Sequence, residues 1–279
     1  MAPKRARDLQ RFRTALDTLT GESGMLRYDL VPDSTGVILH GLGELELEVA
    51  VMRLMRDFQI ELEIGAPNVT YRETIAKVKE QDYTHKKPTG PSGQYARVRI
   101  RFEPLPAGGG YIFENVATNA AVPAEYMPGV VKGLDHAKES GVVAGFPMID
   151  FKATLIDGAH HPVDSSVIAF DVAARACFRE AIPQAGPKLL EPMMKVEVVT
   201  PLDYLGDVIG DLNSRRGQTL GMDSLDDAHA VSAMVPLSNL FGYVNALRSM
   251  TGGRAQHTMR FDHYEQVRGH WPPDDSPAL

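Results

Sequence analysis

Leu9, Phe12, Leu16 and Leu19 recur at intervals of three and four, the repeat of a helix that buries one face. The strings "MLRYDL" and "GVILHG" follow, joined by the turn-rich "VPDSTG", and read as two strands. A second helical repeat puts Leu47, Val51, Leu54, Met55 and Phe58 on one face, and "IELEI", Ile60 to Ile64, alternates as a half-buried strand. Residues 1–66 thus read as helix, two strands, helix and strand.

Residues 191–267 repeat that grammar with a strand in front. "MMKVEVVTP" is a strand, "YLGDVIGDLNSRRG" a helix closed by Gly217, and "QTLGMDSL" and "HAVSAMVPL" two further strands. Ser238 is placed to N-cap the helix "NLFGYVNALRSM", Gly252 and Gly253 end it, and "AQHTMRFDHY" is the last strand. This βαββαβ order is the ferredoxin-like, split-βαβ plan. The first module is one strand short of it, because "MAPK" leaves no room for the central leading strand. The chain is therefore expected to begin inside a domain.

Residues 67–190 form a mixed α/β middle opening at "GAPNVTYRETI". It holds the charged strand "YARVRIRFE", the turn "PLPAGGG", and helices near "EYMPGVVKGLDHAKESG" and "SSVIAFDVAARACFREA", the latter stopped by Pro183. The tail, residues 268–279, contains "WPPDDSPAL", has little to bury, and is expected to be disordered. The fold class is α+β.

Composition changes this picture little: of 279 residues, 43% are hydrophobic and 23% charged, which suits several globular domains. No apolar run reaches the ~18 residues of a membrane span, and "MAPKRARDLQRFRTAL" lacks the apolar core of a secretory signal. The single Cys177 cannot form an internal disulfide and sits in an apolar helical stretch, so it reads as a buried small hydrophobe in a cytoplasmic protein. A net charge of −7 argues against a general nucleic-acid coater but permits a local basic patch.

Two stretches draw attention as chemistry. "DGAHHPVDSS", Asp157 to Ser166, has the residue types of a nucleophilic triad. Neighbours in one loop rarely converge, however, no "GxSxG" elbow accompanies them, and Asp164 and Ser165 precede a helix they can cap. Metal binding by the adjacent His160 and His161 is weak for the same geometric reason. "THKKPTGPSGQYARVRIR", Thr84 to Arg101, has five Lys/Arg and no acid. Its strand sets Ala96, Val98, Ile100 and Phe102 on one face and Arg97, Arg99 and Arg101 on the other, about 7 Å apart. An exposed basic turn running into an Arg row suits a phosphate backbone; the alternative is a solvated strand face. Arg215 and Arg216 end a helix, where cations also favour the dipole. The sequence contains no "GxxxxGK[ST]" phosphate loop, no "NKxD" and no "GxGxxG".

The strings "GLGELELEVAVMRLMRDF", "TGPSGQYARV", "AVPAEYMPGVVKG", "GVVAGFPMID", "HPVDSSVIAF", "GDVIGDLNSRRG" and "VPLSNLFGYVNALRSMTGGRA", in this order, resemble bacterial elongation factor G across its third, fourth and fifth domains. The resemblance implies two ferredoxin-like modules, residues 1–66 (lacking the leading strand) and 191–267. Between them it implies a domain at 67–190 of the ribosomal protein S5 domain 2-like fold. It implies no catalytic residue and no cofactor here, since GTP and magnesium would belong to the family's first domain. It implies partners: the ribosome at its small-subunit decoding region and its large-subunit GTPase-associated region, the tRNA–mRNA duplex, and a separate chain if one supplies the first two domains. The implied fourth-domain tip loops contain His85, Lys86, Lys87, Ser92, Gly93, Gln94, Tyr95 and Arg97 in one and His160, His161, Asp164, Ser165 and Ser166 in the other. Arg215 and Arg216 are the implied fifth-domain contacts. This sequence departs from the family at Glu46, where "GELHL" has a histidine, at Pro88, Pro91 and Pro162 in the tip loops, and in lacking a terminal helix in "RGHWPPDDSPAL". The alternatives are a remnant or competitor of the intact factor and, from another class, a hydrolase using the loop at 157–166.

Overall fold

The computed structural model describes residues 1–31, 34–41, 44–65, 69–87, 93–225 and 227–268. The expected disordered tail, Ser92 and the prolines at 88 and 91 lie outside the described residues, apart from Arg268. The chain divides into two compact units, one of residues 1–68 with 240–249 and one of residues 69–239 with 250–279.

In the first unit the order is β1 (Ala2–Pro3), α1 (Leu9–Glu22), β2 (Arg27–Leu30), β3 (Val37–His40), α2 (Glu44–Arg56) and β4 (Leu62–Glu63). Phe12, Leu16 and Leu19 are buried as their spacing demands, with Ala15 between them. Met55 departs from expectation: it is half exposed, and the buried stripe of α2 runs instead through Ala50 and Leu54, one turn apart. The leading strand is shortened rather than missing. β1 pairs antiparallel with β4, Ala2 opposite Glu63, while the Met1 amino group and Val37 N–H each donate to the other residue's carbonyl at 2.8 Å. Residues 1–3 thus bond to both β3 and β4. β2 and β3 form a separate antiparallel pair.

The second unit begins with β5 (Arg72–Ile75), β6 (Lys79–Lys87), β7 (Gln94–Pro104), β8 (Tyr111–Asn115), α3 (Met127–Lys138), β9 (Phe151–Ala159) and α4 (Val167–Ala181). It continues with β10 (Pro187–Thr200), α5 (Leu205–Ser214), β11 (Gln218–Leu225), β12 (Ala228–Pro236), α6 (Tyr243–Thr251) and β13 (Gln256–Gln266), α6 being shared with the first unit. One sheet has the order β6-β7-β9-β8, with β8 parallel to β9. Ala96, Val98, Ile100 and Phe102 of β7 point from it into a core completed by Phe151, Phe170 and Phe178. α3 and α4 run side by side in the same sense at close range. A Cβ on Gly129 would lie 2.2 Å from the Val167 carbonyl oxygen, and one on Gly133 would lie 2.5 Å from that of Asp171.

The other sheet has the order β11-β12-β10-β13, the split-βαβ arrangement, with β5 added beside β10. β10 is 14 residues long and unbroken at residues 190 and 191, where the sequence pattern set a domain boundary. Its first four residues pair with β5 and the remainder with β12 and β13. Ser238 does not cap α6: it lies in a single 3-10 turn, Leu237–Asn239, and α6 starts only after Gly242, whose φ is +73°. Gly252 and Gly253, both at positive φ, end that helix as expected.

Candidate nucleic-acid interface

The antiparallel pairing of β6 with β7 sets His85, Lys86 and Lys87 opposite Ala96, Tyr95 and Gln94. The pairing of β7 with β9 puts Arg97 opposite Ala159, so the β9–α4 connection, residues 160–166, emerges at the same end of the sheet. The two implied tip segments are therefore neighbours in space, and they are bonded together. Tyr95 N–H donates to the Asp164 carbonyl at 2.9 Å, and the Ser165 hydroxyl donates to the Tyr95 carbonyl at 2.7 Å. Gly93 lies directly over Asp164: a Cβ there would sit 2.9 Å from its carboxylate, which would have to swing aside. His85 Nε2 meets Gln94 Oε1 at 3.0 Å across the β6–β7 pair.

Within the 160–166 segment, His161 organises the turn. Its ring Nδ1 accepts from the N–H groups of Val163 (3.3 Å) and Asp164 (3.2 Å), and its own N–H donates to Ser165 Oγ at 2.8 Å. The same Nδ1 lies 3.3 Å from Asp164 Oδ2. The two histidine rings diverge, that of His161 edge-on to Tyr95 at 6.4 Å and that of His160 against Tyr126 at 6.1 Å. Ser166 caps α4, its Oγ accepting from Ala169 N–H at 3.1 Å. Both serine hydroxyls are thus committed to backbone groups and neither meets an imidazole nitrogen. This corrects the reading of 157–166 as a hydrolase site, for which a serine and a base must share a proton. Asp157 and Ala159 are themselves part of β9.

Charge at this end of the domain is divided. Lys86 and Lys87 are exposed and enter no ion pair among the described residues. Arg97 is held by Asp82, through both Nε (2.9 Å) and Nη2, and approaches Asp157 at 3.4 Å; the Asp82 bond fixes its guanidinium still more firmly in the charged form. Further along, Arg99 pairs with Glu80 and Arg101 with Glu103. The arginine row is on one face as its alternation requires, yet each member is matched by an acid from its own or an adjacent strand. Two apolar side chains beside the lysine end, Val163 and Ile168, are 77% and 66% exposed. The sequence reading passed over both, as it did Tyr126, which stacks on Phe170 at 5.1 Å and supports His160.

Arg215 and Arg216 lie in the other sheet's domain, away from this cluster in sequence and bound inward. Arg215 Nε bonds Asp211 at 2.8 Å and its Nη1 bonds the Asn239 carbonyl at 2.8 Å. Arg216, at φ +62°, is the left-handed residue that ends α5, with Gly217 N–H returning to the Leu212 carbonyl at 2.9 Å and Arg216 N–H to that of Asn213 at 3.1 Å. Its guanidinium grips Glu191, 3% exposed, at 2.7 and 3.3 Å. The residue after α5 is thus the arginine, where the pattern had suggested the glycine.

The chain is thus a multidomain α+β protein with a ferredoxin-like C-terminal module, and the β9–α4 connection is bonded to the start of β7 at one end of its middle sheet. Three family descriptions match: "Elongation Factor G, domain III" over residues 1–66, "Elongation factor G, domain IV" over 67–186 and "Elongation factor G C-terminus" over 188–274. A crystal structure of a protein from Thermus thermophilus is 39% identical, with a TM-score of 0.83, over 98% of this chain. The chain spans 40% of the length of that relative. The chain belongs to the elongation factor G family and carries its domain III, domain IV and C-terminal domain.

Proposed function

We propose that this chain is the ribosome-engaging part of an elongation factor G-like protein, its domain IV tip contacting the tRNA–mRNA duplex at the decoding site. In this reading GTP hydrolysis belongs to domains outside the matched ones. The observation that carries the proposal is the union of the basic β6–β7 end with the 160–166 segment through the Tyr95, Asp164 and Ser165 bonds. Exposed Lys86 and Lys87 at the end of β6, with the 160–166 segment already bonded to β7, can meet phosphates at a lower ordering cost. His160, His161 and Gln94 supply hydrogen-bonding groups beside those cations, and Val163 supplies an apolar surface. Arg97 acts from behind by fixing the sheet, and Arg215 and Arg216 shape the C-terminal domain.

The test is co-sedimentation of the purified chain with bacterial ribosomes over a range of salt. Salt-sensitive pelleting that intact elongation factor G displaces is expected. Lys86→Ala with Lys87→Ala should lessen the slope of log affinity against log salt by about 1.8, two cations at ~0.9 each on a duplex. A folded chain that does not pellet, or a double variant that pellets with unchanged slope, would overturn the reading.

A further inference from the structure

Beyond the tip, a cleft of about 390 Å³ lies between α3 and α4, lined by His136, Ala137, Ser140, Gly141, Val142, Arg175 and Arg179. It follows from the glycine contact described above: with Gly129 against Val167 and Gly133 against Asp171, the next turn of each helix brings Ala137 toward Arg175. His136 and Ser140 are four residues apart, as are Arg175 and Arg179, so each pair lies on one side of its chain segment. Four hydrogen-bond donors, two of them guanidinium groups, face one opening, and the nearby Glu73 carboxylate, buried behind Gly141, is taken up by the N–H groups of Val143, Ala144 and Phe146.

The surrounding acids are already engaged. Asp171 lies 2.7 Å from Arg175 Nε, which aims that guanidinium and leaves its terminal nitrogens for another acceptor. Asp135 and Glu139 are both within ion-pair distance of Lys138, and Glu180 accepts from Gln81 at 2.9 Å. Arg179 and His136 are exposed and enter no ion pair among the described residues. The C-terminal dipole of α3 opposes an anion by roughly half a charge, which the Arg179 guanidinium exceeds even with Arg175 matched by Asp171.

We propose that this cleft binds a phosphate of an RNA backbone, giving domain IV a second RNA contact about 14 to 20 Å along α4 from the tip, at ~1.5 Å per residue. The identity of the RNA as ribosomal or tRNA rests on the proposed function; the anion site does not. The cleft opens to solvent and Arg179 is exposed on its rim, which suits a phosphate carried on a chain.

The variants are His136→Ala with Arg179→Ala, which leaves the Asp171–Arg175 pair intact, and Arg175→Lys as a second, charge-preserving change. The probes are a short RNA hairpin and inorganic phosphate, followed by NMR on the full chain and by fluorescence anisotropy. Hairpin RNA should shift the His136 and Arg179 side-chain signals, and the double variant should lose about tenfold in RNA affinity at low salt. Arg175→Lys should lose the forked contact and weaken binding while the chain stays folded. RNA that shifts only the tip signals, with the double variant binding as the parent does, would overturn the cleft while leaving the proposed function standing. Shifts caused by inorganic phosphate but not by RNA would overturn the RNA assignment. Cleft shifts with RNA in a chain that fails to pellet with ribosomes would sustain the cleft and sink the proposed function.

Discussion

Glu73 is fully buried and belongs to β5, yet its carboxylate is spent on a loop seventy residues away. Oε2 accepts from Val143 N–H at 2.8 Å, and Oε1 from Ala144 at 2.8 Å and Phe146 at 3.2 Å. Gly141 lies so close that a Cβ would stand 2.2 Å from the carboxylate. The backbone of Glu73 adds bonds to Pro147 and from Ile149, so one residue fastens the whole α3–β9 connection to the strand that extends the C-terminal sheet. Glu73→Ala removes the acceptor from three N–H groups. At about 1.5 to 3 kcal/mol for each bond to a charged group, the gross loss is roughly 4.5 to 9 kcal/mol. Val142 and Val143 are 38% and 42% exposed, so water can reach part of the loop and recover some of that. The net expectation is about 3 to 5 kcal/mol, within the range found when one partner of a buried charged contact is removed.

Thermal unfolding of the full chain, followed by its ellipticity, measures this. The thermal midpoint should fall by roughly 10 °C, at about 2 to 4 °C per kcal/mol for a unit of this size. Glu73→Gln keeps the shape but presents an amide to N–H donors, and should lose about half as much. Glu80→Ala, which removes an exposed partner of Arg99, is the control and should cost no more than about 1 kcal/mol. If Glu73→Ala costs less than about 1 kcal/mol, the carboxylate does not hold the loop and the reasoning is refuted.

Burial pushes the Cys177 thiol up to about 12, so at pH 8 about one part in ten thousand is thiolate in the folded chain. Thiol-reagent labelling should therefore be at least about a thousandfold slower in buffer than in denaturant, and a native rate within tenfold would refute the burial argument. The sign for stability follows: the unfolded chain loses this proton at lower pH, so the contribution is complete below the ordinary thiol range and declines as pH rises above it. Gly133→Ala gains about 1 kcal/mol of helix propensity but forces a Cβ to 2.5 Å from the Asp171 carbonyl. A net loss of about 2 kcal/mol in urea unfolding is expected, and a stabilised variant would show that α3 can shift freely. Arg216→Ala strands the buried Glu191 and should cost about 3 kcal/mol while leaving the salt slope of ribosome binding unchanged; a lower slope at unchanged stability would return this residue to the binding surface.

What the sequence disclosed and what it withheld divide along one line. Short-range periodicity was sufficient for α1, β7 and the inward face of Ala96, Val98, Ile100 and Phe102, because a strand fixes its alternation whatever lies beyond it. It gave no means of seeing that Arg97, Arg99 and Arg101 would be matched by Asp82, Glu80 and Glu103, since two of those partners come from a neighbouring strand whose register only the fold sets. Glu73 is the extreme case: in "YRETI" alternation puts it on one face with the buried Tyr71 and Ile75, but nothing local shows that N–H groups from residues 143–146 will meet its carboxylate there. The same distinction decides between cations at the candidate site. A cluster of Lys and Arg in sequence marks where charge is stored, but only unmatched charge can release counterions from a phosphate chain. By that criterion Lys86, Lys87 and Arg179, exposed and in no ion pair among the described residues, are the proposed phosphate contacts, whereas Arg97 and Arg216 are matched within the protein.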